Sequence, residues 1–174
     1  MRHFPPLISM ALLAALSGCA TYQIGNQTLY PAHIETVYVP IIESASFRRN
    51  LGERLTEAVM KEIELRTPYK VTGDPNADSV LRCRLVSETK RVVIAGRSGD
   101  PTQLQVDFQV EVSWTDRRGA ALRQTDCLPL PAEIASVTGN ATLTPEVGQS
   151  IATAQQEAIQ SIAQQIVGMM ESPW

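Results

Sequence analysis

Residues 104–114 read LQVDFQVEVSW. Leu104, Val106, Phe108, Val110, Val112 and Trp114 alternate with Gln105, Asp107, Gln109, Glu111 and Ser113. Successive strand side chains point to opposite faces, so strict period-two alternation predicts a strand with one buried and one wet face. Upstream, residues 79–94 predict a second long strand, with Leu81, Cys83 and Leu85 on one face and Arg82 and Arg84 on the other. A polar loop over 96–102 separates the two. Downstream, Asp116-Arg117-Arg118-Gly119 predicts a short hairpin connection with Gly119 where a positive φ is required. A further strand follows over 121–127 until Pro129 and Pro131 break it, and residues 132–137 add an edge segment.

Helical periodicity brackets these strands. Phe47, Leu51, Leu55, Val59 and Ile63 recur every four residues and predict a helix from about 47 to 66, with Ser44 or Ser46 as its cap. Pro68 ends it by pushing Thr67 out of helical dihedrals. A second helix is expected from about 145 to 170, capped by Thr144 with Pro145 in its first turn. Its apolar stripe is Ile151, Ala154, Ala158, Ile162, Ile166 and Met169. Before the first helix, residues 34–42 (IETVYVPII) are β-branched and apolar, and Pro40 marks a strand end or an edge. The order β-α-β-β-β-α predicts a two-layer α+β domain. Two helices pack on one face of a mixed or antiparallel sheet of about four strands.

The 174 residues, 44% of them hydrophobic, fit one compact domain rather than a disordered chain. Fifteen Lys+Arg against 18 Asp+Glu give a net charge of −3, which supplies no electrostatic footprint for nucleic acid. No nucleic-acid partner is expected.

The N-terminus carries a different kind of signal. Arg2, an apolar run over 7–16 and the small pair Ser17-Gly18 have the pattern of a secretory signal peptide. The run has ten residues, against the ~20 that a membrane-spanning helix needs. Leu16-Ser17-Gly18-Cys19 resembles the bacterial lipobox, in which the thiol after two small residues accepts a diacylglyceryl group. Residues 1–18 are then removed, and Cys19 becomes the lipid-bearing first residue of a tether over 19–33 that leads to a domain at 34–172. Two or three acyl chains hold such a protein on its membrane where one would not. Ala20 stands where an inner-membrane-retained lipoprotein would carry Asp, which resembles an outer-membrane address. Cys83 and Cys127 remain in a compartment that permits disulfides. They either pair or stand as two separate buried thiols.

Enzymatic constellations are missing from the sequence: no Gly-rich phosphate loop, HExxH, CxxC or GxSxG occurs, and His33 falls in the tether. No catalytic residue, metal ligand or cofactor is expected. Three other features stand out. Arg82, Arg84, Lys90 and Arg91 on one long strand are either a charged wet face that blunts edge pairing or a set of contacts for the phosphates or carboxylates of an acidic amphiphile, with Arg48 and Arg49 as possible additions. The last helix is rich in Gln (149, 155, 156, 160, 164 and 165) and has no Lys or Arg, which makes either a solvated face or a surface lying against a polar protein wall. The tail Met169-Met170-Glu171-Ser172-Pro173-Trp174 either folds onto the domain or meets a partner.

The lipobox at Cys19, the strand TVYVPII, the helix FRRNLGERLTEAVMKEIELRTPYKV, the phrase DPNADSVLRCRL and the strand QVEVSWTDRRG together resemble the LptE-like lipopolysaccharide-assembly lipoproteins. The resemblance covers nearly the whole mature chain. It implies a two-layer α+β lipoprotein on the periplasmic face of the outer membrane. There it would plug and help assemble an LptD-type β-barrel that delivers lipopolysaccharide, and it would touch lipopolysaccharide through basic residues. The leading expectation is therefore a non-enzymatic, lipid-anchored assembly factor. A periplasmic lipoprotein binding an amphiphile or peptide is the alternative.

Overall fold

The computed structural model describes residues 29–97, 99–122 and 134–171. In chain order the elements are strand β1 (Thr36–Tyr38), strand β2 (Glu43–Ser44), helix α1 (Leu51–Arg66), strand β3 (Lys70–Thr72), strand β4 (Ser79–Ala95), strand β5 (Pro101–Asp116), strand β6 (Ala135–Leu143) and helix α2 (Ile151–Gly168). The sheet runs β3-β1-β4-β5-β6, with β2 also on β4. β1 is parallel to β3 and β4, β2 is parallel to β4, and β4-β5-β6 form an antiparallel meander. Both helices pack on one face. The expected two-layer α+β fold is what the chain adopts, with six strands where about four were expected.

The strand expected over 121–127 lies mostly outside the described residues, and the edge segment expected at 132–137 is the longer β6; the remaining differences have a local cause. The apolar stretch 34–42 does not make one strand, because Pro40 has no N–H for a ladder bond. It gives only β1, before the proline; β2 follows just beyond the stretch at Glu43–Ser44, and both lie against β4. β3 is three residues long, too short for periodicity to reveal.

Core positions follow the period-two pattern. Leu81 and Leu85 of β4, Val106, Phe108, Val110 and Val112 of β5, and Val137, Ala141 and Leu143 of β6 are buried beneath the helices. From above come Leu51, Leu55, Val59 and Ile63 of α1 and Ala158, Ile162 and Ile166 of α2, all buried as expected. Gly139 lets α2 approach β6: a Cβ there would stand 2.4 Å from Ile162 Cγ1 and 3.0 Å from the Ala158 carbonyl oxygen.

Both helices begin later than their apolar patterns predict. α1 starts at Leu51, and Asn50 before it sits in the left-handed region at φ 66° with no side-chain cap. Its first turn docks on the backbone of Ile42: Thr56 Oγ1 accepts the Ile42 N–H at 2.9 Å and donates to the Gly52 carbonyl at 2.7 Å. A Cβ on Gly52 would lie 2.1 Å from the Ile42 oxygen, so only glycine fits this contact. Phe47 is consequently left outside the helix and fully exposed at 105%, and Ser46 caps a turn by accepting the Arg48 N–H. Pro145 opens a 3-10 turn (Pro145–Val147) that Gly148 ends at φ 81°. Ser150, not Thr144, caps α2 by accepting the Thr153 N–H at 3.1 Å.

At the start of β4 the chain's N-terminal side joins the core. Tyr30, inside the stretch expected to be tether, is buried, and its ring meets Tyr69 at 5.6 Å, with Trp114 6.1 Å beyond. Asp78 stitches β1 to β4 there. Its carboxylate accepts the Thr36 hydroxyl at 2.8 Å and the Thr36 and Glu35 N–H groups. Arg117 Nη2 closes the site at 3.0 Å. These bonds, the Thr36 hydroxyl first and the Glu35 N–H next, hold the Asp78 carboxyl below its ordinary range.

Candidate functional site

Among the described residues, no element covers the sheet face away from the helices. Its wall is the wet half of the alternation: Arg82 opposite Ser113, Arg84 opposite Glu111, and Ser87 opposite Gln109. At the β2 end this face holds a cleft of about 360 Å³ lined by Arg82, Arg84, Glu43, Glu111, Ile41 and Ile134, among others. Arg84 lies between two carboxylates in the ladder, Glu43 on β2 and Glu111 on β5. Neither reaches ion-pair distance, and among the described residues Arg82 and Arg84 have no ion-pair partner. Two large apolar side chains, Ile41 at 74% exposure and Ile134 at 64%, stand at the rim. Guanidinium groups beside exposed aliphatic carbon make a surface matched to an anionic amphiphile, moderated here by the two carboxylates.

The four candidate cations do not form one site. β4 carries a register shift between Leu85 and Ser87. One extra residue at a bulge moves the side chains after it to the other face, here as far as the next register shift, after Val92. Before it, odd-numbered residues face the helices. After it, Glu88 stands opposite Phe108 and Lys90 opposite Val106, both on the helix side, while Arg91 is opposite Gln105 on the open face. Arg91 is also occupied, since its Nε lies 3.4 Å from Asp107 Oδ2 and its Nη2 donates to Gln105 at 3.1 Å. Lys90 and Arg91 lie some six to nine residues beyond Arg82 and Arg84, roughly 20–30 Å along the strand. Arg82 and Arg84 thus remain as the pair in the cleft.

Arg48 does not join them. It pairs on the helix side with Glu88, Nε to Oε1 at 3.2 Å. Glu88 is a junction that the sequence does not reveal: its side chain is 8% exposed and also accepts Gln155 Nε2 at 2.6 Å and the Ser46 hydroxyl at 2.8 Å. A carboxylate just after an inward-facing apolar series reads as wet-face by alternation, and only the bulge turns it inward.

The Gln-rich helix is committed to the domain itself. Besides Gln155, Gln160 Nε2 donates to Glu62 at 3.0 Å, Gln156 accepts Arg54 Nη2 at 2.7 Å, Gln165 donates to the Thr138 carbonyl at 3.2 Å and Gln149 accepts the Thr144 N–H at 2.8 Å. Glu62, itself buried, is completed by Arg66 one helical turn on. The tail packs inward as far as Met170, which is buried. Trp174 lies outside the described residues, as do Cys19 and Cys127. Cys83 is a free, buried thiol whose pKa burial pushes up to about 12. No helix among the described residues is long and apolar enough to cross a membrane, and none of their His, Cys, Asp and Glu side chains cluster as a metal site.

Solved structures share this two-layer α+β fold. The chain is similar to lipoprotein B from Nitrosomonas europaea (16% identity, 84% of this chain and 90% of that one, TM-score 0.52). It is likewise similar to a point variant of PelC, a dodecamer from Paraburkholderia phytofirmans (16%, 82% and 95%, TM-score 0.53), and to protein XCC0632 from Xanthomonas campestris (11%, 85% and 90%, TM-score 0.51). At such identities these likenesses speak for the fold alone. No curated protein matches the chain by sequence. The chain belongs to the LptE family, whose description is lipopolysaccharide assembly and whose sequence model matches residues 34–170. Membership places it among envelope lipoproteins of a family that is generally non-enzymatic.

Proposed function

We propose that the protein is a lipid-anchored assembly factor for lipopolysaccharide transport, held on the periplasmic face of the outer membrane through Cys19 and docked in an LptD-type β-barrel. It acts by binding and templating rather than by catalysis. The observation that carries this reading is the family match across residues 34–170, which spans every element from β1 to α2. The open face adds physical support. Arg82 and Arg84, without ion-pair partners among the described residues and bordered by Ile41 and Ile134, suit the phosphates and acyl carbon of lipopolysaccharide.

The deciding experiment is purification of the native protein from outer membranes in mild detergent. Co-elution with a large β-barrel in fixed proportion is the expected result, and a free monomer under every detergent condition overturns the assignment. Cys19→Ala should release the protein from the membrane fraction. Arg82→Glu with Arg84→Glu should weaken lipopolysaccharide binding while leaving barrel co-elution intact.

A further inference from the structure

Among the described residues, the distal half of β4 has no strand on one of its edges. On the side away from β5, β1 pairs with β4 at Ser79 and Val80, and β2 pairs with it at Arg84 and Leu85, where Ala45 N–H reaches the Leu85 carbonyl at 2.9 Å. Beyond that point no strand among the described residues lies on this side. The free stretch, residues 89–95, reads TKRVVIA. Val92, Val93 and Ile94 are consecutive and 54%, 48% and 52% exposed. Natural sheets blunt such edges with charged side chains, bulges, proline or covering loops; here Lys90, Arg91 and the register shifts after Val92 supply charge and bulges, which leaves an edge that admits only a strand of opposite charge.

The root of this stretch is fixed. Glu88, the residue before it, is tied to Gln155 of α2 and to Ser46 and Arg48 ahead of α1. Thr89 to Val92 keep regular register with β5, and the register shifts begin only after Val92, so the first part of the edge is held extended before anything binds, which lowers the ordering cost of pairing. Charge then selects the occupant. Lys90 and Arg97 flank the apolar trio and have no ion-pair partner among the described residues, whereas Arg91 is paired with Asp107. A second copy pairing through the same edge would bring two such cationic sets side by side. An incoming segment with carboxylates is favoured instead.

We propose that the edge of β4 over residues 89–95 is a strand-addition site for an extended, acidic segment of another protein. Backbone bonds would supply affinity, the trio Val92, Val93 and Ile94 would cover the partner's apolar side chains, and Lys90 with Arg97 would set its sign of charge. This site is separate from the Arg82–Arg84 cleft and stands whether or not the partner in the preceding section is correct.

The test uses the full chain in detergent micelles and a fluorescein-labelled Glu-Val-Thr-Val-Asp-Val-Glu peptide, followed by anisotropy at low salt. Saturable binding is expected. N-methylation at alternate peptide residues, which removes two or three edge hydrogen bonds and leaves the charge, should weaken it about tenfold or more. Lys90→Glu with Arg97→Glu should lose the acidic peptide and gain its lysine counterpart. The idea is overturned if the N-methylated peptide binds equally well, if no peptide saturates, or if the charge-reversed chain loses binding to phosphatidylglycerol vesicles with peptide binding unchanged. The N-methylated peptide acts on the unaltered chain, so misfolding of the variant would not blunt the test.

Discussion

Glu88→Ala removes the carboxylate that ties the long hairpin to α2 and to the segment ahead of α1. Three contacts go with it, and they differ in weight. Gln155 is 5% exposed, so its amide, now 2.6 Å from Glu88 Oε1, would be left with no acceptor in a dry site. A charge-assisted hydrogen bond is worth about 1.5–3 kcal/mol, and leaving a buried donor unpaired costs about 1–3 kcal/mol, two descriptions of largely the same loss. The Arg48 side chain is 48% exposed, which limits that ion pair to about 1 kcal/mol or less. The Ser46 bond at 2.8 Å adds about 1 kcal/mol. The sum is about 3–4 kcal/mol, which for a domain of this size lowers Tm by roughly 10 °C. Thermal and urea unfolding followed by circular dichroism measure it. Glu88→Gln, which keeps one acceptor oxygen, should lose about half as much. A double-mutant cycle with Gln155→Ala should return a coupling near ~1.5 kcal/mol, and one with Arg48→Ala under ~1 kcal/mol that fades with salt. A loss below about 0.5 kcal/mol for Glu88→Ala, or a larger coupling to Arg48 than to Gln155, would refute the placement of Glu88 as a buried junction.

Gly52→Ala should destabilise by about 2–4 kcal/mol, because its Cβ would lie 2.1 Å from the fixed Ile42 oxygen and neither backbone can withdraw without breaking the Thr56 bonds. Gly139→Ala should cost less, about 1–3 kcal/mol, since Ile162 can rotate part of the way; urea midpoints rank the two. The Asp78 carboxyl titrates below its unfolded value of 3.8, so its contribution is complete above that pH and vanishes as pH falls through the lower folded value. Stability of Asp78→Asn should therefore depend less on pH than that of the parent across this acidic range, as read from acid-unfolding curves. Cys83, with its thiol pushed up to about 12 by burial, should react with a thiol reagent at neutral pH only on unfolding, so labelling of a Cys127→Ser variant should track the unfolded fraction.

Much of the architecture was legible because it rests on periodicity. The alternation from Leu104 to Trp114 and the four-residue spacing from Leu51 to Ile63 report directly which side chains leave water, and burial follows them residue by residue. What escaped depends on single positions at which backbone geometry overrides pattern. Phe47 fits the helical spacing, yet the helix cannot begin until Gly52 reaches Ile42. Residues 34–42 look like one strand, yet only Thr36–Tyr38 pairs before Pro40 ends it. The candidate cations illustrate the same limit. Their types and order were readable, but their division between two faces turns on the bulge at Val86, for which ordinary β-branched sequence gives no sign. The glutamines of α2 had their chemistry right and their destination hidden, since their partners Arg54, Glu62, Glu88 and Thr138 come from three other elements.

The packing of Tyr30 at the start of β4 sets a scale for the whole molecule. The N-terminal segment enters at one pole, and the turn after Ala95 lies at the other, about 56 Å away along a strand of 17 residues. If Cys19 is seated in a bilayer, the ten residues to Leu29 give a strap no longer than ~36 Å. Anchored so, the pole at Tyr30 would stay within that distance of the lipid, and the far end of β4, with its uncovered edge, would stand at most roughly 90 Å from it. Lengthening the segment before Leu29 would extend the first distance alone, and shortening β4 would reduce the second alone.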